Sequence, residues 1–258
     1  MTIQHLSYSS INTYLTCPEQ WRRKYIMRQP TKPTPALVFG GAFHNTVERY
    51  ISQEERSESL TDIWPNIWEE KLATEPTVEW GDDTPAGLYA DGLRMFGNAD
   101  VREMVDSVTP YIDDRGPMVE RKVEMRVPGV PVPVIGYIDV ITDDFVPGDF
   151  KTSSSSWSED KAQSELQPLF YLAGLDQAGF KLPDLRFRHY VFVKTKQPKV
   201  QVIEHVHTWN EVLWMFQMIR RAWESIEAGI FPLNPGGWAC NPKYCSYWST
   251  CRGWAFEL

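Results

Sequence analysis

The middle of the chain changes from helical spacing of apolar residues to short runs that are rich in β-branched residues. Three such runs follow one another between turn-forming residues: VERKVEMRVP, VPVIGYIDVI and DFVPGDFKT. Two more runs follow after one helical stretch: LRFRHYVFVKT and KVQVIEHVHTW. Runs of this kind are typical of β-strands. Apolar residues recur at helical spacing before, between and after them. The sequence therefore predicts a mixed α/β fold with a sheet core flanked by helices.

The first part of the chain is predicted to be an N-terminal helical elaboration of this core. SYSSINTYLTCPEQWRRKYI begins with serines that suit a helix cap, and Pro18 starts a new turn or kinks the helix. We predict a second helix in LVFGGAFHNTVERYI and two more helical stretches in residues 60–108. We predict one domain over residues 1–258. Its parts are a mainly helical segment, a sheet core, and a C-terminal helix with a cysteine-rich tail, at residues 1–115, 116–208 and 209–258.

Composition excludes some classes of protein. No apolar run approaches the roughly 18 residues that a membrane span needs. The start MTIQHLSYSS lacks the basic and apolar parts of a secretory signal, so we expect a cytoplasmic protein without a membrane partner. The formal net charge is −8, so no global basic field attracts nucleic acid. Binding to DNA would need a local basic groove.

Two acidic residues and a lysine stand in the apolar strands. Asp149 and Lys151 are two residues apart in GDFKT, so they point to the same face of a strand. Asp139 lies near the end of the preceding strand, which can pair with this one. Two converging carboxylates make an oxygen site that suits Mg²⁺ or Mn²⁺, and a neighbouring lysine can activate water or stabilise phosphate charge. An ordinary surface hairpin is the alternative, although Asp and Lys are seldom buried without a partner.

These segments resemble the PD-(D/E)xK nuclease superfamily, and within it the RecB-like exonuclease branch. The matching elements are GYID, GDFKT, the Gln-x-x-x-Tyr of QPLFY, and the histidine of GGAFHNTVE. The resemblance implies a restriction-endonuclease-like sheet and a metal site formed by His44, Asp139, Asp149 and the backbone carbonyl of Phe150. It assigns Lys151 to the chemical step and Gln167 and Tyr171 to the catalytic set.

Several candidate residues also have simpler interpretations. On its sequence pattern alone, His44 would be a structural or exposed histidine. The resemblance implies that it is a metal ligand. Gln167 and Tyr171 lie four apart on one helix face, where they can contact DNA or hold Lys151, or Tyr171 can pack into the core. Glu120 and Glu124 are weaker candidates for a second metal ion or for positioning water.

The four cysteines of the chain are candidates for a second metal-binding site. Cys17 stands near the start, and Cys240, Cys245 and Cys251 lie in the tail. Clustered cysteines in a cytosolic chain more often bind metal than form disulfides. The same branch includes CRISPR-associated spacer-acquisition exonucleases, AddB-type nuclease domains and viral relatives that hold a [4Fe–4S] cluster with this layout. The resemblance therefore implies a Cys₄ cluster that joins the N- and C-terminal segments. Four residues separate Cys240 from Cys245, where the family usually has two, and structural Zn²⁺ is the alternative occupant.

The expected function follows from this set of groups. We expect a metal-dependent DNA exonuclease that prefers single-stranded ends, and the resemblance implies 5′→3′ polarity. Tryptophans and tyrosines, with the basic segments WRRKY and RFRHY, are candidates for stacking bases and binding phosphates. The resemblance suggests recombination, phage replication or CRISPR-adaptation proteins as partners, in a prokaryotic or phage-infected cell. The alternatives are a non-catalytic, cluster-stabilised DNA-binding subunit of a larger nuclease or helicase complex, and a zinc-stabilised scaffold with no hydrolytic role.

Overall fold

The computed structural model describes residues 3–253, which fall into two compact units. Unit 1 takes its described residues from three stretches of the chain: up to Lys32, Glu124–Gly136, and from Trp209 onwards. Unit 2 comprises Pro33–Val123 and Tyr137–Thr208. The single domain predicted for residues 1–258, with its internal boundaries, stays a prediction.

Unit 2 begins with four helices, each started by a polar cap. Thr34, Ser59, Thr84 and Asn98 each accept a hydrogen bond from the backbone three residues on, which satisfies one N–H group of the first helical turn. The helices are α3 (Pro35–Ile51), α4 (Leu60–Thr74), α5 (Pro85–Phe96) and α6 (Ala99–Ser107), the labels α1 and α2 being kept for unit 1. The sequence predicted two helical stretches in residues 60–108, and the structure has three. The second stretch divides because Gly97 ends α5 and Asn98 caps α6.

The main sheet, which has most of its residues in unit 2, is mixed. Its strands, in chain order, are β4 (Val119–Met125), β5 (Val134–Ile141), β6 (Pro147–Ser153), β7 (Arg186–Val193) and β8 (Lys199–Val206); a two-residue pair, β2 (Ile112–Asp113) and β3 (Gly116–Pro117), precedes them. The β5–β6 and β7–β8 pairs are antiparallel, whereas β6 and β7 are parallel. Parallel neighbours need a crossover connection. That crossover contains α7 (Glu159–Ser164) and α8 (Gln167–Gln177), so the single helix predicted there is in fact two.

Helices cover both faces of this sheet. In β7, Tyr190 and Phe192 pack with α3–α6, whereas Phe187 packs with α8 and Val191 packs with α7. Phe150 of β6 lies on the α3 side. Side chains alternate along a strand, and Asp149 pairs in register with His189, so Asp149, Lys151 and His189 face the α7–α8 side. The predicted restriction-endonuclease-like mixed sheet flanked by helices is confirmed.

Unit 1 is built around the two ends of the chain. Strand β1 (Leu6–Ser7) pairs in parallel with Val134 and Ile135 at the start of β5. It leads into α1 (Tyr8–Thr16), α2 (Pro18–Trp21) and a π-helix at Arg22–Ile26. The C-terminal part supplies α9 (Trp209–Glu227) and α10 (Trp248–Gly253). The predicted break at Pro18 is present, because α1 ends before Cys17 and Pro18 starts α2.

The C-terminal segment of unit 1 is held to its N-terminal helices by hydrogen bonds. Asn234 donates to the carbonyl of Thr16 (2.9 Å), and the Tyr247 hydroxyl donates to the carbonyl of Gln29 (2.9 Å). Arg23 donates to the hydroxyl of Thr250 (3.2 Å). These contacts bring residues more than two hundred positions apart together. Among the described residues, no helix has the length and apolar character that a membrane crossing requires.

Candidate active site

Asp139 and Asp149 are buried next to each other at the junction of β5 and β6. Asp139 is 6% exposed and Asp149 is 1% exposed. The backbone N–H of Phe150 donates to Oδ2 of Asp139 at 2.7 Å. Burial raises the pKa of Asp139 well above its usual value, and the like charge of Asp149 raises it further. Two buried carboxylates that disfavour each other's charge are suited to share a divalent cation.

Lys151 neutralises part of this charge. Its Nζ atom lies 2.6 Å from Oδ2 of Asp149 and donates to Oε1 of Gln167 at 2.7 Å. Burial works to lower the pKa of Lys151, but the Asp149 and Asp139 carboxylates outweigh it and hold that pKa above its usual value. Lys151 is therefore an ammonium at neutral pH, held by one carboxylate and one amide.

Gln167 and Tyr171 fix the position of this ammonium. Nε2 of Gln167 donates to the hydroxyl of Tyr171 at 2.9 Å, and that hydroxyl donates to the carbonyl of Tyr137. The Tyr171 ring is buried beside Phe187, with stacked planes. Burial, followed by the charge of Asp149, raises the pKa of Tyr171, so it stays a neutral donor. Of the roles predicted for this pair, the geometry shows Gln167 holding Lys151 while Tyr171 packs in the core.

His44 lies on α3, next to the acidic pair. Its Nδ1 atom is 3.5 Å from Oδ2 of Asp139. Burial lowers the pKa of His44 to about 4, and it outweighs the opposing effect of Asp149. The neutral imidazole that results is the form that ligates metal. The glycine-rich start of α3 allows this approach, because a Cβ on Gly40 would lie 3.3 Å from the hydroxyl of Thr152 in β6.

Glu48 belongs to the same group, and the sequence reasoning missed it. It lies one helical turn after His44, and ligand atoms of His44, Glu48 and Asp139 all lie within 4.8 Å of one another. Burial raises the pKa of Glu48 to about 9, helped by a hydrogen bond with Glu120 and by nearby carboxylates. The i, i+4 spacing from His44 was the available signal. Glu120, a weak candidate from the sequence, interacts with Glu48, whereas Glu124 forms an ion pair with Arg126 at 2.7 Å.

His189 is a second residue that the sequence reasoning did not select. It is 1% exposed, and within residues 3–253 neither of its ring nitrogens has a hydrogen-bond partner. Its backbone is paired with that of Asp149 across the β6–β7 ladder. Burial lowers the pKa of His189 to about 3, and the charge of Lys151 lowers it further. No local pattern marks this histidine, since only the parallel pairing of β6 with β7 places it there.

The arginines of the two basic segments are already paired. In WRRKY, Arg22 and Arg23 contact Glu19 at 2.7 Å and 2.8 Å. In RFRHY, Arg186 contacts Asp184 at 2.7 Å, and Arg188 pairs with Asp144 and Glu204. Glu19 and Asp184 lie within four residues of their arginines, whereas Asp144 and Glu204 are brought to Arg188 by the fold. Phosphate binding by these two segments stays a prediction.

All four cysteines line one cavity of about 300 Å³ in unit 1. None of them forms a disulfide. Burial raises the pKa of Cys245, and the neighbouring Cys17, Cys251 and Cys240 raise it further. In the described part of the chain, no cysteine belongs to a group of three ligand atoms within 4.8 Å of one another. A tetrahedral zinc site with Zn–S bonds of about 2.3 Å holds its sulfurs closer than that.

Comparison with known proteins identifies the family. The model of the PD-(D/E)XK nuclease superfamily matches residues 5–252, so the chain belongs to that superfamily. Its nucleases use divalent metal ions, and the group formed by His44, Glu48 and Asp139 could hold one.

Two solved structures are similar to the chain. A protein from Eubacterium rectale, provisionally named an exonuclease, is 12% identical over 89% of this chain and 83% of its own, with a TM-score of 0.62. At that identity the likeness shows the fold alone. A protein named SSO0001 is 13% identical over 91% of this chain and 93% of its own, with a TM-score of 0.32. No curated protein matches the sequence.

Proposed function

We propose that this nuclease is a divalent-metal-dependent deoxyribonuclease that removes nucleotides from single-stranded DNA ends in the 5′→3′ direction. The observation that carries the proposal is the buried pair Asp139 and Asp149 with the Lys151 ammonium between Asp149 and Gln167. A damaged site would favour the alternative of a non-catalytic DNA-binding subunit. Here both carboxylates and the lysine are present, and Lys151 contacts Asp149.

The residues that would hold Mg²⁺ or Mn²⁺ are Asp139, Asp149, His44 and the backbone carbonyl of Phe150. The donor set suits these ions, since it offers carboxylate and carbonyl oxygens with one neutral imidazole. A bound cation would also relieve the repulsion that raises the pKa of Asp139. When bound, the ion supplies Lewis-acid activation of water and of the scissile phosphate. Glu48 could add a carboxylate oxygen on the α3 side of the same group.

Lys151 acts in the chemical step in this proposal. Its ammonium is anchored by Asp149 and Gln167, and Gln167 is anchored in turn by Tyr171. A positive charge at this position attracts hydroxide and stabilises the charge that develops on the phosphate. Because the amide and the phenol fix its direction before substrate binds, little reorganisation is needed during the reaction.

A [4Fe–4S] cluster held by Cys17, Cys240, Cys245 and Cys251 is the second part of the proposal. One observation supports it: all four cysteines line one cavity. Iron–sulfur clusters take four thiolates and are larger than one ion. Zinc is the competing occupant. Iron, sulfide and zinc content of the purified protein, with its visible absorption, separates the two.

The cellular setting proposed is the cytoplasm of a prokaryotic or phage-infected cell. DNA recombination or repair, phage replication and CRISPR adaptation are the processes that the RecB-like resemblance suggests, with proteins of those processes as partners. The activity itself is tested with single- and double-stranded DNA labelled at either end, in Mg²⁺, in Mn²⁺ and in EDTA. Label release from 5′ ends of single strands supports the proposal. Binding without cleavage in either metal would favour the DNA-binding subunit instead.

A further inference from the structure

Two histidines lie at the end of β8, the strand at one edge of the main sheet in the described part of the chain. His205 belongs to the strand, and His207 is the first residue but one after it along the same side. Side chains alternate along an extended chain, so residues 205 and 207 face the same way. The exposure agrees with this, since Val206 is exposed, His205 is half-buried and His207 is buried. The two imidazoles are therefore neighbours on one side of the sheet.

The register of the β7–β8 pair identifies this side. His205 pairs with Phe187, whose ring packs with α8. His189 lies two residues after Phe187 and pairs with Ile203, so its side chain is on the same side. Three of the five histidines of the chain thus share one side of one strand pair. The side of a sheet that packs on a helix is ordinarily apolar, so this concentration of imidazoles indicates a polar ligand.

The geometry of His205 and His207 suits one metal ion. Their ring centroids are 4.8 Å apart and the ring planes lie at 73°. One nitrogen of each ring lies within 4.8 Å of a nitrogen of the other. A zinc ion with Zn–N bonds of about 2.0–2.1 Å and tetrahedral angles holds two nitrogens about 3.4 Å apart. A small rotation of the two side chains reaches that distance without movement of the backbone.

The backbone that carries the pair is fixed before any ion binds. Strands β7 and β8 are paired over all eight of their residues, and His205 lies within this ladder. The backbone N–H of His207 extends the ladder by donating to the carbonyl of Leu185 at 2.9 Å. Binding therefore costs little ordering of the chain. Because His205 is half-buried, an ion can enter from solvent.

The donor atoms select a different class of ion from the one expected at the acidic group. Imidazole nitrogens suit Zn²⁺ and its neighbours Co²⁺, Ni²⁺ and Cu²⁺, whereas carboxylate oxygens suit Mg²⁺ and Mn²⁺. Asp139 and Asp149 offer mainly oxygen, and neither His205 nor His207 belongs to their group.

We propose that His205 and His207 are protein ligands of a further metal site, the histidine site, which binds a transition ion of the zinc type at the end of β8. The remaining coordination positions are taken by water or by a further oxygen ligand. The inference goes beyond the proposed function, since it needs neither DNA nor catalysis. A bound ion would hold the end of an edge strand and so stabilise the folded protein.

The test counts bound zinc by equilibrium dialysis against Zn²⁺, in excess Mn²⁺. Native protein should bind one zinc per chain more than the double variant with His205→Gln and His207→Gln. Each single variant should bind that zinc about tenfold more weakly or worse, since it removes one of two imidazoles. His5→Gln is the matched control, because it removes an exposed histidine. Melting in EDTA checks the fold of each variant, and the half-buried position of His205 keeps the test available if His207 does not tolerate replacement.

A second measurement follows stability. Zn²⁺ should raise the melting temperature of native protein and of His5→Gln more than that of His205→Gln, with Mg²⁺ as the control ion. Equal zinc content in native protein and the double variant, or an equal rise in melting temperature in native protein and His205→Gln, overturns the histidine site.

Asp149→Ala separates the histidine site from the acidic group. It should keep the zinc that the double histidine variant loses. If Asp149→Ala loses that same zinc, the ion belongs to the acidic group and the histidine site is overturned.

Discussion

Oδ2 of Asp149 lies 2.6 Å from Nζ of Lys151, two residues further along the same strand. Asp149 is almost completely buried, so this contact is a charged pair shielded from water. Asp139 lies beside it, also buried, with a pKa raised by burial and by the charge of Asp149. One ammonium faces two carboxyl groups, and a bound cation would stabilise the ionised form of both.

The first prediction concerns Asp149. Asp149→Ala should reduce cleavage by about 10³-fold or more, because a lost metal ligand removes several kcal/mol of transition-state stabilisation. The cysteine site in unit 1 should keep its full metal content. Turnover is measured with end-labelled single strands in Mn²⁺, and Asp160→Ala on the exposed start of α7 serves as the control. Wild-type turnover in Asp149→Ala would show that the metal site is assigned wrongly.

The second prediction separates chemistry from metal binding. Lys151→Ala should lower turnover by about 10²- to 10³-fold while the affinity for Mn²⁺, measured by calorimetry, is unchanged or higher. An ammonium repels a divalent cation, so its removal cannot weaken the metal by direct charge. Gln167→Ala should have a smaller effect in the same direction, since Gln167 only holds the lysine. Loss of Mn²⁺ binding in Lys151→Ala would contradict a role in the chemical step.

The third prediction concerns Glu48 and pH. The pKa of Glu48 is raised from its ordinary 4.5 to about 9 in the folded protein. At a pH between these two values, the folded state therefore holds a proton that the unfolded state has released. Stability of the metal-free protein should therefore fall as pH rises through this window, by up to about 1.4 kcal/mol per unit for one group. Glu48→Gln should flatten that slope, and exposed Glu103→Gln should not. Urea denaturation in EDTA at several pH values tests this, and an unchanged slope in Glu48→Gln would refute it.

How far the sequence predicts this site depends on whether its contacts are local. Asp149 and Lys151 are two residues apart on a strand, so strand geometry alone placed them on one face. Glu48 follows His44 by one helical turn and could have been found in the same way. His189 could not, since it lies forty residues after Asp149 and reaches it only through the β6–β7 pairing. The ion pair of Arg188 with Asp144 likewise depends on the fold.

The fold was predictable to a similar extent. The strands were marked by runs of β-branched residues and the helices by apolar spacing, and both patterns are local. The π-helix at Arg22–Ile26 had no local signal, whereas the division of the crossover into α7 and α8 had one that the sequence reasoning did not use. In the crossover, Pro168 at the start of α8 sets the boundary, because proline is tolerated in the first turn of a helix.

The fourth prediction tests the packing in unit 2. A Cβ on Gly92 of α5 would lie 2.2 Å from Cζ2 of Trp64, which is fully buried. Gly92→Ala should therefore destabilise the protein by about 1–3 kcal/mol, despite the better helix propensity of alanine. Gly236→Ala is the matched control, since a Cβ there meets nothing within 4 Å. Equal melting temperatures for the two variants would show that α4 and α5 are packed differently.

The fifth prediction concerns the cysteine site. Cys17→Ser should lose iron and sulfide and lower the melting temperature as much as Cys240→Ser, Cys245→Ser or Cys251→Ser. Cross-linking ends more than two hundred residues apart restricts the unfolded chain, by about 5 kcal/mol on the analogy of a disulfide. Thr16→Ser, one residue before Cys17, is the control. Full iron and an unchanged melting temperature in Cys17→Ser would exclude Cys17 as a ligand.

The central claim is that Asp139, Asp149 and Lys151 form a metal-dependent nuclease site. Its most direct test is the cleavage of 5′-labelled single-stranded DNA by native protein and by Asp149→Ala, each in Mn²⁺ and in EDTA. The account predicts release of the label only by native protein in Mn²⁺. Cleavage in EDTA, or cleavage by Asp149→Ala at the native rate, would contradict it.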